Sequence, residues 1–520
     1  VAYQQSRWSM TPAHSGITSD GGLGAVLKRG AAISAVATVL AQGITVVQTV
    51  VLGRLLGPYE IGVFTAGSVL VSSLVVVAQG SLGHAVIQRE HDLEDAANTA
   101  LVVTFLTGLV LAIGLAAASP LIGMVFHDTR IGLIAMACSG LALLHACTTV
   151  PDALMQRAFR FRRRIVIDPA VSLIFAVVAI TFAGLGYGAW SMVIGTYAST
   201  VSWVALSWWL AKWRPLRGRF SVRMWRDLAR FSFPVFLDVV AERSREVVEQ
   251  VLVGRWLGGS ALGQYRYGYR IASLPSLGII QICSYVLFPA FSRIAGDAER
   301  FRSAFLRALT WIWFAALPVA ALMVALAPPA VPLLLGDQWQ PAGHAAAAMA
   351  GIGLGVALMS AAAEAVKGAG RSHLLNWMTA LSLALGLPLL ILLIPFGLVG
   401  VAVALSLSYL TVGLLSLGLA RPVVGATWRE LTICLAPTTL SAAAALAVAL
   451  PVERLVGGSI GYHGPAGLAL ITAECVLLLV VYVALLMFSS RWRTTAHELG
   501  QWISVLIAGR VAARQRGGYA

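Results

Sequence analysis

The chain has 520 residues, 58% of them hydrophobic and only 11% charged, against roughly 25% charged in soluble domains, and its formal net charge is +15. That composition excludes a soluble enzyme and a disordered chain, because a mean hydropathy of +0.83 needs lipid as the solvent for most of its length. The excess of 37 Lys and Arg over 22 Asp and Glu would suggest nucleic acid in a soluble protein. In a membrane protein it is the signature of cation-rich cytoplasmic loops, so no nucleic-acid partner is expected.

Residues 1–26 are polar, lack a cleavable signal pattern and read as a cytoplasmic tail. Apolar runs of about 20 residues then predict fourteen spans. Those of the first half lie near 30–52, 61–82, 97–118, 131–150, 166–184 and 189–211. A basic linker over 213–230 follows, and then spans near 231–253, 267–290, 308–327, 343–363, 374–394 and 398–420. Two more, near 431–450 and 466–488, precede a basic, amphipathic tail over 489–520 that is expected to lie on the membrane surface. The uncharged run 169–211 is divided by Gly184-Leu185-Gly186-Tyr187-Gly188, and the run 374–420 by Pro395-Phe396-Gly397.

An even number of spans puts both termini on one side. The connections on that side hold 29 of the 37 cations, including the run from Arg157 to Arg164, so both termini are expected in the cytoplasm of a multi-pass inner or plasma membrane protein. Cys138, Cys147, Cys283, Cys434 and Cys475 all lie in apolar stretches without metal-ligand spacing and read as small hydrophobes. No metal or cofactor is expected, and no Walker A loop, HExxH or GxSxG is present.

One segment recurs without gaps. Gly53-Arg54-Leu55-Leu56-Gly57-Pro58-Tyr59-Glu60-Ile61-Gly62-Val63-Phe64 aligns on Gly254-Arg255-Trp256-Leu257-Gly258-Gly259-Ser260-Ala261-Leu262-Gly263-Gln264-Tyr265 at an offset of 201 residues. Each copy joins an odd span to the next. Six spans per unit is an even number, so the halves share one orientation, as in parallel-repeat transporters. The predicted fold is therefore an all-α polytopic membrane protein. It has an N-lobe over 27–212, a C-lobe over 231–420 and two additional helices over 431–488.

The chemistry concentrates in span seven, which carries Asp238, Glu242, Arg243, Arg245, Glu246 and Glu249 in an apolar helix. Each ionised group at the bilayer centre costs about 2.5–3.5 kcal/mol. At 100° per residue Asp238, Glu242, Arg245, Glu246 and Glu249 form one stripe. Such a stripe either lines a water-filled substrate or ion pathway or neutralises itself through pairs such as Glu242 with Arg245 and Arg245 with Glu249. The matching part of span one holds only Gln42, Thr45, Gln48 and Thr49 as polar residues. At the outer end of spans seven and eight Arg255, Arg266 and Arg270 stand among Tyr265, Tyr267 and Tyr269, and Arg54 is the repeat-mate of Arg255. Arg266 and Arg270, one turn apart, suit a phosphate fork or interfacial anchoring. Arg54 and Arg255 equally suit capping of terminal carbonyls. Glu364 with Lys367 reads as a helix-end ion pair, and Glu474 stands alone in span fourteen.

The segments GRLLGPYEIGVF, GRWLGGSALGQYRYGYRIASLP, LMQRAFRFRRR with GLGYGAW, and LLLGDQW resemble the polysaccharide transporter family of Wzx type. Within it they resemble the subgroup named for the colanic acid exporter, in the multidrug/oligosaccharidyl-lipid/polysaccharide exporter superfamily. The resemblance covers residues 27–420. It implies two six-helix lobes around a central cavity and a flippase that moves a polyprenyl-diphosphate-linked oligosaccharide across the membrane by alternating access, with membrane lipid, polysaccharide polymerase and glycosyltransferases as further partners. It maps family arginines onto Arg54 and Arg270, and the acidic span seven departs from the family's cationic cavity.

On this reading Arg54, Arg255, Arg266, Arg270, Arg243 and Arg245 are the substrate-binding candidates. Asp238, Glu242, Glu246 and Glu249 are the ion-coupling candidates. An ion-coupled drug or cation antiporter of the same superfamily is the alternative, which the acids favour and the arginines do not. A membrane glycosyltransferase or polymerase would need a large outer loop with catalytic carboxylates, which the sequence lacks.

Overall fold

The computed structural model of the chain describes residues 40–487 apart from 89–91, 158–160, 216–217, 284–286, 461 and 463. The two expected tails, the first part of span one and most of the basic run 157–164 lie outside the described residues or side chains, as do the side chains of Asp238 and Glu242.

Described residues are almost entirely helical, as lipid demands of a chain whose every amide must be satisfied internally. In the first half the helices are α1 (Leu40–Leu55), α2 (Pro58–Gln88), α3 (Leu93–Phe126), α4 (Thr129–Ser139), α5 (Leu141–Ala146), α6 (Thr149–Arg157), α7 (Phe161–Gly184) and α8 (Ala189–Ala211). There follow α9 (Val222–Ile282), α10 (Phe288–Ile294), α11 (Ala298–Leu335), α12 (Gln340–Ala348), α13 (Gly351–Gly368), α14 (His373–Leu393), α15 (Gly397–Val424), α16 (Trp428–Ile460) and α17 (Gly464–Met487). Nine segments among the described residues are long and apolar enough to cross a membrane, and one of them, His373–Val424, contains both α14 and α15. The protein is a multi-pass membrane protein.

Backbone contacts divide the chain into two compact units, Val1–Arg255 and Trp256–Ala520. Local features recur in both at the repeat offset. Gly57 lies in the break between α1 and α2, where Pro58 opens α2 at the one helical position that needs no amide hydrogen. Its repeat-mate Gly258 interrupts α9 with φ 88° and ψ 170°, backbone that only glycine adopts without strain.

The expected spans four and ten are each broken rather than continuous. Span four is divided into α4, α5 and α6, and span ten into α12 and α13. In the first unit the break between α5 and α6 comes from Pro151. It has no amide hydrogen to offer the carbonyl four residues back, that of Cys147, and Trp208 Nε1 on α8 donates to that carbonyl at 3.1 Å instead. In the second unit the Ile352 amide bonds back to Met349 rather than to Ala348. The Ala348 carbonyl takes its hydrogen from Ser406 Oγ on α15 at 2.5 Å. Cys147 and Ala348 are 201 residues apart, so the repeat extends to the breaks and to the way they are satisfied.

In the second unit α16 and α17 dock on α11. Leu478, Tyr482 and Leu486, four residues apart on one face of α17, join the core around Trp313, Leu317 and Phe305. Tyr482 donates to the Phe314 carbonyl at 3.1 Å, and Trp313 Nε1 to Thr439 Oγ1 at 2.9 Å. Val476, Val480 and Val483 lie exposed on the other face, the face that meets lipid. At the start of α16 Thr427 and Glu430 form a capping box, each side chain bonded to the other's backbone amide, and Arg302 of α11 pairs with Glu430.

Candidate functional site

The charged part of α9 lies in the first unit. Arg245 pairs with Glu249 one turn along at 2.5 Å, with both side chains largely buried, and Arg243 pairs with Glu246 at 2.6 Å in a more exposed position. Gln250 Nε2 reaches Glu246 at 3.4 Å. One of the two pairings expected from helical spacing, Arg245 with Glu249, is therefore present, and Arg243 with Glu246 is a pairing the stripe analysis did not weigh. Glu249 and Gln250 are buried, and so are their repeat-mates Gln48 and Thr49 on α1. The two repeat copies thus bury polar groups at the same two positions, with Glu249 the one ionisable group of the four.

Arg255 donates to the carbonyl of Val125 at 2.8 Å, and its guanidinium lies 3.3 Å from His127 Nδ1. Val125 belongs to the last turn of α3, whose carbonyls have no helical donors, so these are the contacts of a carbonyl cap. Arg54 lies exposed on the last turn of α1.

The arginine pair sits in the second unit, on the part of α9 beyond Gly258. At 1.5 Å per residue Arg266 and Arg270 lie about 12 and 18 Å along the helix from that break. Arg266 is exposed and Arg270 is partly buried, and the two are close enough to repel. Among the described residues no carboxylate pairs with Arg270, whose electrostatic neighbours are Arg266 and the Tyr267 phenol. A desolvated guanidinium facing a second cation is a site that an anion completes.

This part of α9 is held against the turn between α11 and α12. Gln264 is buried and uses both ends of its amide. Its Nε2 donates to the Gln338 carbonyl at 2.7 Å and its Oε1 accepts from the Ala342 amide at 2.9 Å. Tyr267 stacks on the fully buried Trp339 with ring centroids 4.3 Å apart. A Cβ on Gly268 would lie 3.1 Å from the Ala342 carbonyl oxygen, so the helices approach closely there. Helical periodicity puts Gln264, Tyr267 and Gly268 on one face and Arg266 and Arg270 on another.

Several polar residues that the sequence analysis did not single out are organised in the first unit. Glu60 receives both guanidinium nitrogens of Arg130 at 3.0 Å and accepts from the Ala189 amide at 2.7 Å, tying the starts of α2, α4 and α8 together. Tyr59 donates to Asp128 at 2.6 Å. Asp152 of α6 accepts from Trp203 Nε1 at 3.1 Å and from Ser207 at 2.8 Å, both on α8. The one sequence signal for these was an acid or a tryptophan in an apolar run.

The two weaker candidates also have partners. Lys367 pairs with the buried Glu364 at 2.7 Å, the helix-end pair that spacing suggested. Glu474 accepts from the Tyr462 hydroxyl at 2.9 and 3.1 Å. Burial first, and the hydrogen bond to Glu474 second, push the Tyr462 phenol above its ordinary range, so it remains a donor throughout the physiological pH range. Among the described residues no group of three or more His, Cys, Asp and Glu is gathered as a metal site.

The profile of the polysaccharide biosynthesis protein family matches residues 51–344, more than half of the chain. The chain belongs to that family. The polysaccharide biosynthesis family profile covers both copies of the glycine-arginine repeat and the turn that holds Trp339, and the profile described as lipid II flippase MurJ matches residues 249–463.

Among curated relatives of this family member is the succinoglycan biosynthesis transport protein ExoT of Rhizobium meliloti (strain 1021). It is 26% identical over 297 residues, 57% of this chain and 60% of that protein. The lipopolysaccharide biosynthesis protein WzxC of Escherichia coli (strain K12) is 24% identical over 317 residues, 60% of this chain and 63% of that protein. The matched stretch thus spans less than two thirds of the length of either relative. Among solved structures, the lipid II flippase MurJ in its inward closed conformation superposes with a TM-score of 0.71 at 15% identity, over 88% of this chain and 98% of that one. At that identity the likeness is one of fold.

Proposed function

We propose that the protein is a flippase that carries polyprenyl-diphosphate-linked oligosaccharide units across the cytoplasmic membrane for surface polysaccharide assembly, and is not an enzyme. The observation that carries this reading is the Arg266–Arg270 pair, a cationic site with no carboxylate partner at Arg270 among the described residues. A diphosphate has the charge and the oxygen geometry for two guanidinium forks. Family membership and relatives named for succinoglycan and lipopolysaccharide biosynthesis support it.

The architecture that accompanies this reading has fourteen spans. It has two six-helix lobes, residues 27–212 and 231–420, and two further helices over 431–488. Both termini are cytoplasmic, the basic linker 213–230 joins the lobes, and the tail 489–520 lies on the inner leaflet. The repeat, the positive-inside count and the matched breaks at Cys147 and Ala348 support that arrangement. Arg54 is a second contact for the anionic substrate. In α9 the acids Asp238, Glu242, Glu246 and Glu249 serve ion coupling, and Arg243 and Arg245 hold Glu246 and Glu249 until the carrier changes state. Arg255 shapes the end of α3 through the Val125 carbonyl. Glycosyltransferases supply the lipid-linked unit and a polymerase consumes it.

The test is translocation of a polyprenyl-diphosphate oligosaccharide by the purified protein in proteoliposomes. Arg270→Gln is expected to abolish it while membrane insertion and melting stay near wild type. Translocation at the wild-type rate by a folded Arg270→Gln protein overturns the site. Export of cationic drugs, with no movement of the lipid-linked sugar, would establish the antiporter instead.

A further inference from the structure

Anion recognition by two arginines depends on where their guanidinium planes are held. An arginine side chain, with three methylenes before its guanidinium, samples many positions from an unsupported helix, whereas a helix fixed by its neighbours presents a narrow set. The residues before and between the two arginines make the contacts with the α11–α12 turn. Gln264 closes two hydrogen bonds on that turn. Tyr267 stands between the two arginines in sequence, its ring stacked on Trp339 and its phenol within electrostatic reach of both guanidinium groups. The chain beside the turn is pinned as well. Gly336 has φ 104°, and the Trp339 amide donates back to the Gly336 carbonyl at 3.0 Å, so the ring is presented from a tight backbone turn.

The contacts of this clamp are neutral, an amide bridge and a ring stack, although the turn itself carries Asp337. In the first unit the corresponding outer turn, around Asp128 to Arg130, is held by ionic contacts from Tyr59 and Glu60. A carboxylate placed to do the same in the second unit would bring negative charge to the helix that carries Arg266 and Arg270. On the α9 side an amide and an aromatic ring hold the turn without adding that charge to the helix.

We propose that Gln264 and Trp339 are positioning residues of the anion site: the Gln264 amide bridge and the Tyr267–Trp339 stack fix this part of α9 so that Arg266 and Arg270 grip one diphosphate together. The proposal rests on the reading of Arg266 and Arg270 as the anion site, and its test separates the two. The full-length protein in lipid nanodiscs is treated with phenylglyoxal, and modification of Arg266 and Arg270 is followed residue by residue by mass spectrometry as inorganic diphosphate is titrated in. Melting temperatures are measured in parallel. In the wild type diphosphate is expected to protect both arginines with one shared midpoint. In Gln264→Ala and Trp339→Ala the midpoint is expected to rise about tenfold, equivalent to about 1.4 kcal/mol, and the two arginines to lose their common midpoint. Trp339→Phe, which keeps a stacking ring, is expected to restore both.

If diphosphate protects neither arginine in the wild type, the anion-site reading itself fails. Protection in the wild type that is unchanged in Gln264→Ala and Trp339→Ala overturns the positioning role alone. A rise in midpoint that follows only the fall in melting temperature, in Trp339→Phe as in Trp339→Ala, reduces the clamp to packing and also overturns it.

Discussion

Trp208 Nε1 donates to the carbonyl of Cys147 at 3.1 Å, across from α8 to the break between α5 and α6. The bond exists because Pro151 has no amide hydrogen for that carbonyl. In lipid there is no water to take its place. Trp208→Phe keeps the ring and removes the donor, leaving a carbonyl unsatisfied. Its expected effect is a loss of about 1–3 kcal/mol in unfolding free energy, read from denaturant unfolding in detergent micelles. Pro151→Ala in the Trp208→Phe background supplies a helical donor and is expected to recover part of the loss. Additive, unimproved stability in the double variant would refute the explanation of the break.

The buried pair Arg245–Glu249 behaves differently from a surface pair. Removing one partner leaves the other charged in a low-dielectric setting, which typically costs about 3–5 kcal/mol, whereas replacing both with apolar residues is often neutral. Arg245→Met and Glu249→Leu are each expected to lower membrane abundance and melting temperature sharply. The double variant is expected to return near the wild type in stability. Measured as a double-mutant cycle, a coupling near zero would show that the two charges do not depend on one another.

At the start of α2, Glu60 and Arg130 share a bidentate pair but not equal importance. Arg130 is nearly half exposed, and an exposed pair contributes about 0–1 kcal/mol. Glu60 additionally caps the first turn of α8 through the Ala189 amide, a contribution of about 0.5–2 kcal/mol. Glu60→Ala is therefore expected to destabilise more than Arg130→Ala. Raising the salt concentration should narrow the loss in Arg130→Ala and leave most of the loss in Glu60→Ala. Equal effects in thermal melts would remove the capping role. Gly188, just before that amide, has φ 56° and ψ −134°, backbone that strains any other residue, and a Cβ there would also press on Glu60 Oε2 at 2.5 Å.

Between α13 and α15 the backbones meet through small residues. A Cβ on Gly355 would overlap the Tyr409 backbone, and one on Gly413 would lie 2.9 Å from the Gly355 carbonyl oxygen. In membranes such close approach supplies the dispersion contact that drives helix pairing. Gly355→Leu is expected to abolish folded protein in the membrane. Gly355→Ala is expected to lower melting temperature by several degrees, as about 1–3 kcal/mol of overpacking would. Wild-type abundance of Gly355→Leu would contradict the packing described.

Much of the candidate site was legible in the chain. The charges in α9, the arginine pair one turn apart and the glycine repeat were visible because they break a uniformly apolar background. The pairing of Arg245 with Glu249 follows from helical spacing alone. The partners of Glu60, Asp152 and Gln264 were not legible, since they lie 51–129 residues away in sequence, and no local period links positions so far apart. The breaks in the fourth and tenth spans were also missed. Pro151 marks the first, but nothing local marks Ala348, whose carbonyl is drawn out by a serine on α15.

The sequence by itself determined that the chain lives in lipid, that its halves share one frame, and which faces of its helices carry charge. Those properties follow from composition and from the 3.6-residue period, which each helix expresses alone. The tertiary structure decided which charges neutralise one another and which do not. Arg255 finds a partner in the Val125 carbonyl of α3, 130 residues away, whereas Arg270 has no carboxylate brought to it among the described residues. The physical reason is that a helix fixes the direction of a side chain but not the neighbour it faces. That neighbour is set by packing between helices, where close approach at Gly268 and the stack of Tyr267 on Trp339 fix the face of α9 away from Arg266 and Arg270.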